Sequence, residues 1–110
     1  MTTIDQIKQE LRDIIELSNK VTPRKWNADE LVIYADSGEV AISATRERTV
    51  EEDRHNASFI AASRNLTPKM AKALLGNLEM LEHMTTYTTK AGTVAINALE
   101  TICREWEVHA

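Results

Sequence analysis

The sequence predicts an α+β fold. Two observations carry that expectation: a pair of β-rich segments joined by turn chemistry, and stretches of three- and four-residue apolar periodicity on either side. A small β-hairpin or sheet packed against three or four helices satisfies both. With 110 residues the chain has the size of one domain. A single α+β domain over residues 1–110 is therefore expected, with 85–110 open to a role as a helical extension or oligomerisation segment.

The first element reads as an amphipathic helix. Ile4, Ile7, Leu11, Ile14 and Val21 recur at helical steps, and Ile15 and Leu17 widen the stripe. Thr3 has the position of an N-cap and Gln6 that of its capping-box partner. Thr22-Pro23 forces extended backbone, so the helix is expected to stop near Asn19. Lys8, Glu10, Arg12, Asp13 and Glu16 form a solvated face.

A hairpin follows. Residues 31–35 and 40–45 are rich in β-branched and aromatic side chains, and Asp36-Ser37-Gly38-Glu39 between them supplies the turn. Two strands alone are not stable in water. A helix must cover the hairpin, or a third strand must come from near Trp26 or from another copy of the chain.

Beyond Arg48 the pattern is helical again. Thr49 and Glu52 have capping-box spacing; Val50, Ala57, Ile60, Ala61 and Arg64 share a face, with Phe59 beside it. Leu66-Thr67-Pro68 is expected to end this short helix and open a second one. There Met70, Ala71, Leu74, Leu75, Leu78 and Leu81 make an apolar stripe. Thr85-Thr86-Tyr87-Thr88-Thr89 lowers helix propensity and Gly92 follows, which predicts a break. The rival is one continuous helix from Pro68 to about Glu107. A last helix carries Val94, Ala95, Ala98, Leu99, Ile102 and Trp106 on one side.

Several of these segments together resemble the Ead-type early-region proteins of phages and prophages. The matches are Thr22-Pro23-Arg24-Lys25-Trp26, the turn from Tyr34 to Gly38, Asn56-Ala57-Ser58-Phe59-Ile60-Ala61-Ala62-Ser63-Arg64, and Pro68 opening a leucine-rich helix. The resemblance spans roughly residues 17–84. Arg24 stands where that family usually has glycine, Asn56 where it usually has aspartate, and the last 25 residues have no counterpart. The resemblance implies a phage-borne or prophage-borne accessory protein and carries over no catalytic residue.

Composition narrows the chemistry. Thirteen Lys and Arg against seventeen Asp and Glu give a formal charge of −4, which disfavours a duplex-binding surface built on clustered cations. Arg46-Glu47-Arg48 is diluted by Glu51, Glu52 and Asp53, and Arg24-Lys25-Trp26 offers two charges beside an aromatic. Cys103 is the sole cysteine, so no intramolecular disulfide and no cysteine-based zinc site can form. It reads as a small packing residue. His55, His83 and His109 are dispersed; Glu79 with Glu82 and His83, and Asp53 with His55 and Asn56, are the nearest approaches to a metal or acid–base group. Three glycines leave no phosphate-cradling loop, and no nucleophile elbow occurs. No catalytic, cofactor-binding or metal-ligating residue is assigned, and no cofactor is expected.

No segment has the apolar length of a membrane span or the core of a signal peptide. A bacterial host cytoplasm is the expected location. The function expected is that of a non-catalytic interaction protein binding a bacterial host protein, with anti-defence activity as one form of it. The alternative is a binder that sequesters a nucleotide-type molecule, with Arg24, Lys25 and Trp26 holding phosphate and base. For Trp26 itself, the role of a packing anchor is favoured over stacking on a ligand. Ile102 and Trp106 are candidates for homo-oligomer contacts through the C-terminal helix, against intramolecular packing on the helix that Pro68 opens.

Overall fold

A computed structural model describes residues 2–42 and 48–108. In chain order the elements are α1 (Ile4–Lys20), β1 (Asn27–Asp29), β2 (Val32–Ala35), β3 (Gly38–Ile42), α2 (Val50–Met84) and α3 (Lys90–Val108). The fold is α+β, as the sequence predicts. Its contacts divide the chain into two compact units. One holds Met1–Ile15 and Met70–Ala110; the other holds Glu16–Lys69.

The first unit is helical. Its α1 segment begins with the expected capping box: the Gln6 amide donates to Thr3 Oγ1 at 3.2 Å, and the Thr3 amide donates to Gln6 Oε1 at 2.9 Å. Ile7 and Leu11 from α1 and Ala71 and Leu78 from α2 are buried together. Leu74, Leu75, Leu99, Ile102, Cys103 and Trp106 pack against them. Lys8 donates to Glu82 at 2.6 Å on the margin of this core, and the more exposed Arg12 lies 3.8 Å from Glu79.

The threonine cluster ends α2, and the rival single helix through residue 107 does not form. The Thr85 and Thr86 hydroxyls turn back to the carbonyls of Glu82 and His83 at 2.6 and 2.8 Å. Such bonds compete with helix continuation. The Tyr87 amide still reaches the Met84 carbonyl at 3.0 Å, which closes a tight turn. Gly92 makes that turn feasible: a Cβ there would stand 2.1 Å from the Tyr87 carbonyl oxygen.

The second unit holds an antiparallel sheet of order β1-β2-β3. The third strand comes from this chain, directly after Trp26, and pairs Ala28 with Ile33. Between β2 and β3 the register jumps from Ile33↔Ala41 to Tyr34↔Glu39, so Val40 is the extra residue of a bulge. Ile33 is fully buried against Ala57 and Ala61 of α2, with Trp26, Ala28 and Val40 around them. The small alanine side chains let helix and strand approach closely. Gly38 opens β3 at φ 126°, where a side chain would be strained.

Two expectations need correction. The helix after Arg48 does not end at residues 66–68: α2 is one helix of 35 residues with Pro68 inside it. Proline removes one main-chain hydrogen bond and crowds the preceding turn, at a cost of about 3 kcal/mol. Packing on both sides offsets that cost, Ala57 and Ala61 in one core and Ala71 and Leu78 in the other. The boundary between the units falls at Lys69 and Met70, beside the proline. The buried face of the early α2 turns also differs, because Val50 and Ile60 are exposed and Asp53 is buried with Ala57 and Ala61. The expected ends of the second hairpin strand, Ser43 to Thr45, and Arg46 and Glu47 lie outside the described residues.

Gly92→Ala is expected to lower stability in urea denaturation by about 2 kcal/mol or more. Helix propensity alone gives the opposite sign, a gain of about 1 kcal/mol. The sign of the measured change therefore reads the carbonyl contact directly.

Candidate functional site

The segment between α1 and β1 is where local backbone chemistry builds a surface feature. After Thr22-Pro23 the chain turns through Arg24, whose φ of 70° is left-handed. A non-glycine residue there is uncommon and costs roughly 1–3 kcal/mol when strained. Its guanidinium lies 3.2 Å from Asp36 on the surface. Trp26 follows and is held at four places. Its indole N–H donates to the Thr22 carbonyl at 2.9 Å, and its ring packs on the Ile33, Ala57 and Ala61 cluster. Its main-chain N–H donates to Asn65 Oδ1 at 2.9 Å, while Asn65 Nδ2 donates to the Trp26 carbonyl at 2.8 Å. The Asn65 amide thus acts as a strand neighbour would, pairing both main-chain groups of one residue.

The same turn of α2 brings Arg64 over the Trp26 ring, with Cζ 5.6 Å from the centroid, a cation–π distance. Arg24, Lys25, Arg64, Asn65 and Lys69 together line an open cleft of about 350 Å³. Arg64 Nε is buried and has no hydrogen-bond partner among the described residues. Of the residues singled out in the sequence, Arg24 and Lys25 reach this cleft, whereas the Trp26 ring is committed to packing. Arg64 and Lys69 were not foreseen as its other cations. They are five positions apart on one helix, a spacing that no helical periodicity flags, and only the fold brings them to residues 24 and 25.

Ile102 and Trp106 belong to the helical unit. Both pack against its buried cluster, and Trp106 Nε1 donates to Glu10 Oε2 at 2.6 Å. A second cavity of about 470 Å³ in that unit is lined by Ile4, Leu99 and Cys103 among others. Burial, followed by the negative charge of Glu107, holds the Cys103 thiol above its ordinary pKa. Glu107 accepts a hydrogen bond from the Thr2 amide, which holds its carboxyl below the usual carboxylate range.

The acid–base groups noted in the sequence are engaged elsewhere. Glu79 and Glu82 face Arg12 and Lys8, and His83 meets Tyr87 edge to face at 5.8 Å. Asp53, almost fully buried, accepts from Arg48 Nε at 2.8 Å. Arg54 pairs with Glu30, which is, among the described residues, the other non-glycine residue at positive φ. Among the described residues no three His, Cys, Asp or Glu side chains are grouped so as to hold a metal ion. No helix among them is long and apolar enough to cross a membrane.

Compared with known proteins, the chain matches no family model, no curated sequence and no solved structure. The likeness to Ead-type proteins rests on the quoted residues alone.

Two outcomes follow from this geometry. Asn65→Leu keeps the side-chain bulk but leaves the Trp26 N–H and carbonyl without their partner. A loss of about 2 kcal/mol is expected in urea denaturation. The raised pKa of Cys103 leaves less thiolate at neutral pH. Alkylation of native protein by iodoacetamide is expected to run slower than that of a free cysteine peptide, and to match it once urea unfolds the chain.

Proposed function

We propose that the chain is a non-catalytic binding protein, phage-borne or prophage-borne, that docks on a bacterial host protein. The observation that carries the docking role is the exposed apolar side of α2 in the sheet-bearing unit. Phe59 is 73% exposed and Leu66 53% exposed, two helical turns apart, with exposed Ala62 between them. Large exposed aromatic and aliphatic side chains at helical spacing are the usual anchors of a protein partner. The ion pairs of Asp53, Glu79 and Glu82 support a structural use of the acids. The resemblance at residues 22–26 and 56–62 supports the phage origin.

Affinity capture from bacterial lysate tests the reading. The wild-type chain is expected to retain one partner in fixed stoichiometry, and Phe59→Glu and Leu66→Glu to release it. Both variants are expected to stay within about 0.5 kcal/mol of wild-type stability, as surface substitutions do. Capture that survives both changes overturns the reading. So does light scattering that shows a dimer of this chain dissociated by them.

A further inference from the structure

We infer that the cleft between the 24–25 turn and α2 binds the phosphoryl group of a small phosphorylated molecule. This inference is independent of the docking role proposed above and rests on three observations in the sheet-bearing unit.

The first is charge. Arg24, Lys25, Arg64 and Lys69 are four cations lining one cleft with Asn65, and among the described residues no acidic one lines it. The chain as a whole carries a formal charge of −4, so this is a local inversion of sign. Like charges gathered within a Debye length of roughly 8 Å repel one another, and a dianion among them removes the repulsion. Lys25 and Lys69 have no ion-pair partner among the described residues, while Arg24 has only the exposed Asp36.

The second is a positioned guanidinium. Arg64 lines the cleft, and its Cζ is held 5.6 Å from the Trp26 ring centroid. A phosphoryl oxygen is an acceptor of the chemistry a guanidinium fork recognises.

The third is backbone strain. Arg24 adopts φ 70°, a conformation that glycine takes without penalty. An arginine kept there at a cost points to a task for its side chain.

The size favours a small ligand. About 350 Å³ holds a phosphoryl group and a short attachment, within the range of small-molecule sites. The Trp26 ring is already packed, so recognition falls on the phosphate and not on a stacked base. A polynucleotide would need a longer cationic track.

The test uses the full chain at low ionic strength, with inorganic phosphate, AMP, adenosine and a short single-stranded DNA as probes. Thermal shift and calorimetry are the readouts. Phosphate and AMP are expected to raise the melting temperature, adenosine is not, and added sodium chloride is expected to shrink the shift. Phosphate matching AMP identifies the bare anion as the preferred ligand. AMP exceeding phosphate identifies a phosphomonoester. Either supports the inference.

Lys25→Ala combined with Lys69→Ala removes two exposed side chains. The free chain is expected to keep its melting temperature while AMP binding weakens at least about tenfold. Arg24→Gly separates ligand recognition from structure: the free chain is expected to melt no lower than wild type, yet to bind AMP more weakly. Equal binding of adenosine and AMP, affinity unchanged in the double variant, DNA displacing AMP, or no shift with phosphate or AMP would each overturn the inference.

Discussion

One amide holds the sheet-bearing unit together. Asn65 gives the main chain of Trp26 both a donor and an acceptor, at 2.8 and 2.9 Å, and so joins the start of β1 to the middle of α2. Main-chain groups in a partly buried position must be paired, and a lone residue before a three-residue strand has few ways to achieve it. With Trp26 fixed, β1 can pair with β2, the indole can close over Ile33 and Ala61, and Arg64 can lie on the ring. Residues 24 and 25 then have little choice of where to go.

The two units solve packing differently. In the helical unit, branched side chains of α1, α2 and α3 interlock around Ile7 and Leu78, and a bend after Met84 is needed before α3 can begin. Threonine hydroxyls and a glycine supply that bend. In the sheet-bearing unit the helix presents alanines, so Ile33 of β2 can reach it. Helix α2 serves both arrangements, and its composition changes from alanine-rich to leucine-rich near Pro68.

Local signals were readable in the sequence and distant ones were not. The Thr3–Gln6 capping box, the Thr49 hydroxyl that caps α2, the turn at Gly38 and the threonine stop depend on residues within a few positions of each other. All of them appear in the structure. The third strand was foreseen only as one of two sources, because Asn27 to Asp29 carries little β propensity and pairs through position. Pro68 misled for the opposite reason: a strong local signal was overridden by tertiary packing on both sides. Val50 and Ile60 look apolar enough for a core, yet the sheet meets the face bearing Asp53, Ala57 and Ala61, where close approach matters more than hydrophobicity. The cleft was half visible. Arg24 and Lys25 stand out in the sequence, but Arg64 and Lys69 join them only through the fold.

Each unit contains one tryptophan, and each indole N–H is bonded to an oxygen of its own unit: Trp26 to the Thr22 carbonyl and Trp106 to the Glu10 carboxylate. The molecule therefore has two built-in optical reporters, one for each core. With either indole replaced by phenylalanine, the emission of the other follows a single half of the chain. Loss of order in one half becomes visible without any attached dye.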